Sequence, residues 1–145
     1  MDSFSKICAD IKSIKIQGAT NVAKSAIKAY CLKPTKKSKE ILIKLRPTEP
    51  MVSNALNILE KSSTENVLNH FENAQEFINY YIQKLISQNS VIFTHCHSNT
   101  LAQALISAHK SKKKFSIINT ETRPLYQGHI TAKQLSKAGI KVSMI

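Results

Sequence analysis

The chain has 145 residues, of which 42% are hydrophobic, and it carries 21 lysines and arginines against 9 acidic residues, for a net charge of +12. That length holds one domain or two small ones and can bury a core without disulfides. No run of about 18 apolar residues occurs, which excludes a transmembrane helix, and the mixed start Met-Asp-Ser-Phe-Ser-Lys lacks the apolar segment of a secretory signal.

The first 88 residues read as helical. Phe4, Ile7, Cys8, Ile11 and Ile14 recur at intervals of three and four, the period of one helix face. Gln17-Gly18 breaks the pattern. Asn21 is placed to cap a second helix with Val22, Ala26, Ile27 and Tyr30 on one face, and Pro34 ends it. A third helix is predicted over 36–45. The stiff break Arg46-Pro47-Thr48-Glu49-Pro50 follows, with Pro50 suited to open a helix over 51–60. Ser62 and Ser63 precede the longest helix, to about residue 88, whose apolar stripe includes Val67, Phe71, Phe77, Tyr81 and Leu85.

The character changes at residue 89. The apolar run 90–94 reads as a buried strand, 100–110 as a helix, 115–119 as a second strand, 130–138 as a helix closed by Gly139, and 141–145 as a third strand. Strand-helix-strand-helix-strand is the order of a parallel α/β sheet. The sequence therefore divides into a helical N-terminal domain, 1–88, and a partial Rossmann-like α/β domain, 89–145. The last strand stops flush at Ile145, and a parallel sheet needs cover for its edges, so Ile145 reads as a cut point.

Composition also bounds the partners. Cys8, Cys31 and Cys96 are an odd number without metal-ligand spacing, read as reduced thiols of a cytoplasmic protein. Cys8 and Cys31 fall on apolar helix faces and are expected in the core. No metal motif and no phosphate-binding P-loop is present, so neither a metal nor a cofactor is expected. The basic residues are nearly all lysine; Arg46 and Arg123 are the only arginines, whereas base readout and phosphate forks favour arginine. The run Lys112-Lys113-Lys114 reads first as a solvated turn and second as a loose attraction for RNA or a polyanionic assembly. Direct nucleic-acid binding stays open.

In open parallel sheets ligands bind beyond the carboxyl ends of the strands. Two polar segments take that position: 94–100, after the first strand, and 120–128, after the second. Cys96 sits near a helix start between His95 and His97, two features that favour thiolate and proton transfer; the plain alternative is a small buried thiol. Ser98, Asn99 and Thr100 offer backbone N–H groups and hydroxyls to an anion, or are an ordinary cap. Arg123 can fork a phosphate or pair with Glu121. In the helical half, Gln17, Gly18, Ala19 and Thr20 form a glycine turn opening a helix, and Arg46 is that half's only arginine.

Taken together these segments resemble a known family. Lys15 to Ala23 resembles its early glycine turn, and Arg46-Pro47-Thr48 followed by Ser53-Asn54-Ala55-Leu56 resembles its Arg-Pro-Thr motif. Thr94-His95-Cys96-His97-Ser98-Asn99-Thr100 is similar to its cysteine loop. Thr120-Glu121-Thr122-Arg123-Pro124-Leu125-Tyr126-Gln127-Gly128, continued by Ile130-Thr131-Ala132-Lys133 and Gly139-Ile140, is its most distinctive block. The family joins the alpha, beta and delta subunits of translation initiation factor 2B to ribose-1,5-bisphosphate and methylthioribose-1-phosphate isomerases.

The resemblance implies a sugar phosphate or nucleotide as ligand, a pocket between the two domains, and homo- or hetero-oligomers. It gives Cys96 the role of acid or base in moving a proton between the first two sugar carbons. It gives phosphate contacts to Arg46, Ser98, Asn99 and Thr100 and matches Gln17 through Thr20 to the early turn; His97 and Arg123 complete the expected substrate- or phosphate-binding set. Two departures matter. The isomerases carry an arginine where this chain has Gln17, which removes a cation and suits the initiation-factor branch. Their catalytic aspartate would lie beyond residue 145, so the chain as written is not expected to be a competent isomerase. On these grounds the first expectation is a regulatory binding protein that assembles with itself or with translation factors. The alternative is the N-terminal part of a sugar-phosphate isomerase.

Overall fold

A computed structural model describes residues 2–145. The chain forms two compact units, Met1–Phe71 and Glu72–Ile145.

The first unit holds α1 (Ser3–Lys12), α2 (Ala19–Leu32), α3 (Lys36–Leu45), α4 (Pro50–Leu59) and the start of α5 (Thr64–Leu85). Ile11, Val22, Ala26, Ala29, Leu42, Val52 and Leu56 form its main core. A second cluster joins Ala23, Ile27, Ala55 and Val67. Alanines at 23, 26 and 29 keep α2 narrow, so α1 and α4 both pack closely on it. Burying each larger aliphatic side chain contributes roughly 1.5–3 kcal/mol.

The helix starts are written in the sequence. Asp2 accepts from the Ser5 amide at 2.7 Å, Thr35 from Ser38 at 3.1 Å and Ser63 from Asn66 at 3.1 Å, while Pro50 opens α4. The second helix departs from expectation. It starts at Ala19 behind Gly18, whose φ of +84° only glycine adopts without strain, and no side chain caps it. Asn21 lies inside the first turn, where its Nδ2 donates to the Gln17 carbonyl at 3.1 Å. Cys31 also departs, because it is exposed, with its sulfur 3.6 Å from the Thr64 hydroxyl. Cys8 is half-buried against the main core.

The second unit holds the rest of α5, then β1 (Ser90–Thr94), α6 (Asn99–Lys110), β2 (Phe115–Asn119), α7 (Gln127–Lys137) and β3 (Lys141–Met144). The strands are parallel in the order β1-β2-β3, with Ile92, Ile117 and Val142 side by side. Ala102, Leu105 and Ala108 of α6 and Leu135 of α7 cover Ile117 from one face, joined by Ile86 and Ile140. Gly139, at φ +86°, turns the chain out of α7 as expected, and the Ile140 amide donates back to the Leu135 carbonyl at 3.1 Å.

Both α6 and α7 lie on that one face. Val91 and Phe93 point the other way and are 63% and 62% exposed, so β1 is buried on one side rather than on both. The α5 stripe is similarly incomplete: Val67 is buried, but Phe77, Tyr81 and Leu85 are exposed. Helix gives way to strand near residue 89, whereas the core changes inside α5, because Val67 packs in the first unit and Ile82 against the core of the second.

Candidate functional site

β1 and β2 end side by side at Thr94 and Asn119. The Thr94 hydroxyl donates to Asn119 Oδ1 at 2.8 Å, and Asn119 Nδ2 donates to the Gly128 carbonyl at 2.8 Å. Asn119 is wholly buried, so both ends of its amide are satisfied inside the protein. One side chain thus ties two strand ends to the first turn of α7. Gly128 makes this approach possible: a Cβ there would sit 1.8 Å from the Thr120 carbonyl oxygen.

Above this tie the two loops interlock. Cys96 has φ +64°, a left-handed conformation that costs a non-glycine residue roughly 1–2 kcal/mol. Three contacts hold it. Its amide donates to Thr122 Oγ1 at 2.9 Å, its carbonyl accepts from Thr131 Oγ1 at 3.0 Å, and its thiol donates to Gln127 Oε1 at 3.1 Å. Thr122 and Tyr126 are left-handed as well, at φ +60° and +50°. Strain concentrated on one loop pair is kept only where the surroundings over-determine it, a frequent mark of ligand sites.

The flanking histidines turn to threonines. His95 Nδ1 lies 2.8 Å from Thr120 Oγ1, and His97 Nδ1 lies 3.0 Å from Thr131 Oγ1. His97 is half-buried, and burial pushes its pKa below the usual imidazole value, so the ring is neutral at pH 7. Ser98 caps α6 by accepting from the Leu101 amide at 3.3 Å. The amides of Asn99 and Thr100 precede the first intrahelical bond, which runs from Ala102 to the Ser98 carbonyl. Gln75 of α5 donates to the Thr100 carbonyl at 3.0 Å and steadies that turn.

The contact between Cys96 and Thr122 brings the Arg123 loop to the same sheet edge. The Arg123 guanidinium is exposed and rests on its own loop carboxylate, Glu121, at 3.0 Å. That hydrogen bond, more than any other influence, holds the Glu121 carboxyl below the ordinary carboxylate range, and His129 stands 3.5 Å from the same group.

The other sequence candidates belong to the first unit. Gln17 through Thr20 form the start of α2, which no side chain caps. Arg46 follows α3. Its Nη2 meets Glu49 at 3.0 Å, while its Nη1 is buried without a partner among the described residues. Sequence reasoning did not single out Thr122, Gln127 or Thr131. Their signal lay in the block 120–131, obscured by starting the helix at Ile130 instead of Gln127. Among the described residues, no three His, Cys, Asp or Glu side chains are arranged to hold a metal.

The profile of the Initiation factor 2 subunit family matches residues 17–145. The ribose 1,5-bisphosphate isomerase of Archaeoglobus fulgidus is 30% identical across all of this chain, which covers 54% of that protein. The crystal structure of translation initiation factor eIF-2B from Pyrococcus horikoshii matches the whole chain with a TM-score of 0.91 at 24% identity, 60% of it being covered. A tetrameric complex of eIF2B beta and delta subunits from C. thermophilum matches 99% of the chain, and 59% of its own matched chain, with a TM-score of 0.65 at 14% identity. The chain thus spans about half the length of the isomerase it matches.

Proposed function

The chain belongs to the Initiation factor 2 subunit family, and from that premise we propose that it is the N-terminal, sugar-phosphate-binding part of an isomerase of the ribose-1,5-bisphosphate type. The observation that carries the proposal is the Cys96 loop. A thiol is fixed in a strained turn at the carboxyl edge of a parallel sheet by side chains of the neighbouring loop and of α7. Such a group is positioned to give or take a proton. A sugar phosphate supplies an anion of the kind that the α6 start at Asn99 and Thr100 is suited to take, and within the first unit Arg46, with its unpartnered Nη1, is suited to the same chemistry. The 30% identity to an isomerase over the full chain supports the same reading.

In this reading Cys96 moves a proton between the first two sugar carbons. In the second unit Ser98, Asn99 and Thr100 contact a phosphate of the ligand, and Arg123 joins them after leaving Glu121. In the first unit Arg46 and the turn Gln17 to Thr20 are each proposed, separately, as phosphate contacts. Glu121, already paired with Arg123 and His129, is a poor second catalytic group. Binding is therefore proposed for these residues and turnover for the whole protein. The cytoplasm is the proposed location, and assembly with further subunits is part of the proposal.

One residue favours a second reading. Gln17 replaces a cation in the early turn, which suits a regulatory subunit that binds a sugar phosphate or nucleotide and assembles with translation factors without turning its ligand over.

Titration calorimetry with ribose 1,5-bisphosphate, paired with an isomerisation assay on the whole protein, tests the proposal. Cys96→Ser should bind within a few-fold of the parent and lose at least about a hundredfold in turnover, the smaller end of what general acid–base groups contribute. Undiminished turnover in Cys96→Ser, or no binding by the parent, overturns it. Binding without turnover in the parent favours the regulatory reading.

A further inference from the structure

The hydrogen bonds around His97 fix more than its position. Thr131 Oγ1 carries one hydrogen, and it is donated to the Cys96 carbonyl at 3.0 Å. The same oxygen lies 3.0 Å from His97 Nδ1. With its only hydrogen spent, Thr131 must be the acceptor in that contact, so Nδ1 bears the proton. In a neutral imidazole Nε2 is then a bare acceptor. Nε2 makes no hydrogen bond among the described residues.

We propose that Thr131 is a positioning residue that holds His97 as the neutral Nδ1–H tautomer, so that Nε2 is offered as an acceptor to a hydroxyl of the ligand rather than as a donor to its phosphate. Burial of the ring supports the neutral form. This divides the labour of the loop after Cys96. Asn99 and Thr100 present amide donors suited to an anion, whereas His97 reads a hydroxyl and disfavours a bare anion. Thr131 serves both neighbours at once, steadying the strained Cys96 carbonyl and setting the histidine tautomer. The hydroxyl partner rests on the sugar-phosphate reading above; the tautomer does not.

Nitrogen NMR of the protein labelled with 15N-histidine tests this at neutral pH, the His97 signals being those lost in His97→Gln. The ligand-free protein should show a protonated Nδ1 and a bare Nε2. Thr131→Val should lose the single tautomer and Thr131→Ser should keep it. Ribose 1,5-bisphosphate should shift Nε2 in the direction of hydrogen-bond acceptance, and inorganic phosphate should not. Thr131→Val should weaken the sugar phosphate roughly five-fold, the worth of one neutral hydrogen bond, and leave inorganic phosphate unchanged. A protonated Nε2 in the ligand-free protein overturns the proposal outright. So does a shift of Nε2 by inorganic phosphate as large as that by the sugar. If the sugar phosphate binds, as amide shifts of the Cys96 loop would report, yet Nε2 stays still, the acceptor role fails and the functional reading stands. If the tautomer is as stated but no sugar phosphate binds, the functional reading fails, and the hydroxyl role with it.

Discussion

His97 shows how burial at a single residue becomes a pH dependence. Its folded pKa lies below its unfolded value of about 6.5, so the unfolded chain binds more protons than the folded one near and below that pH. Stability is therefore unaffected well above pH 6.5 and declines as pH falls through that value toward the folded pKa. Glu121 acts in a separate window. Its lowered pKa contributes stability above the ordinary 4.5 that is lost on further acidification. Melting temperature measured from about pH 7.5 to 5.5 should fall in the parent and fall less in His97→Gln. Equal slopes would mean that His97 is not desolvated. At this scale the sequence was informative about Cys96, because a strand end, a helix start and two histidines converge on it. It was silent on Gln127 and Thr131, whose polar side chains look like ordinary helix surface until α7 is known to begin beside the Cys96 loop.

Among the elements, the junction of β1, β2 and α7 depends on Asn119 and Gly128. Short apolar runs predict the strands, and Gly139 predicts the end of α7. The start of α7 was placed three residues late because its first turn is held by tertiary contacts rather than by a local cap: Tyr126 precedes it in a left-handed conformation with no capping side chain. The start of α2 was misjudged for a related reason, since Gly18 does by backbone freedom what Asn21 was expected to do by hydrogen bonding. Gly128→Ala should cost about 3 kcal/mol, because the new methyl meets backbone and the buried Asn119 amide, neither of which can yield cheaply. Gly139→Ala, strained in its backbone but meeting only the His109 side chain at an ordinary contact distance of 3.5 Å, should cost nearer 1 kcal/mol. Chemical denaturation of the two variants compares them directly. Equal costs would show that α7 does not approach Thr120 as closely as described.

For the molecule as a whole, the order of helices and strands was readable, as was the parallel sheet, because hydrophobic period changes from that of helices to that of strands at residue 89. Burial was less readable. The apolar runs around Val91, Phe93 and Phe77 predict full cover, yet these residues are exposed here, since α6 and α7 occupy one sheet face only. A local apolar run reports that a surface is suited to burial and not which element covers it. The net charge of +12 favours anionic ligands in general but selects none; in the proposed function, selection falls to the Cys96 loop. If this loop receives a sugar phosphate, as proposed, the protein carries its own control for showing it. Cys31 is exposed in the first unit, while Cys96 is half-buried in the candidate site. The most direct measurement is the alkylation rate of each cysteine by iodoacetamide, followed by peptide mass spectrometry, with and without ribose 1,5-bisphosphate. The sugar phosphate should slow modification of Cys96 several-fold and leave Cys31 unchanged. An unchanged Cys96 rate at millimolar ligand, or equal slowing of both thiols, would contradict it.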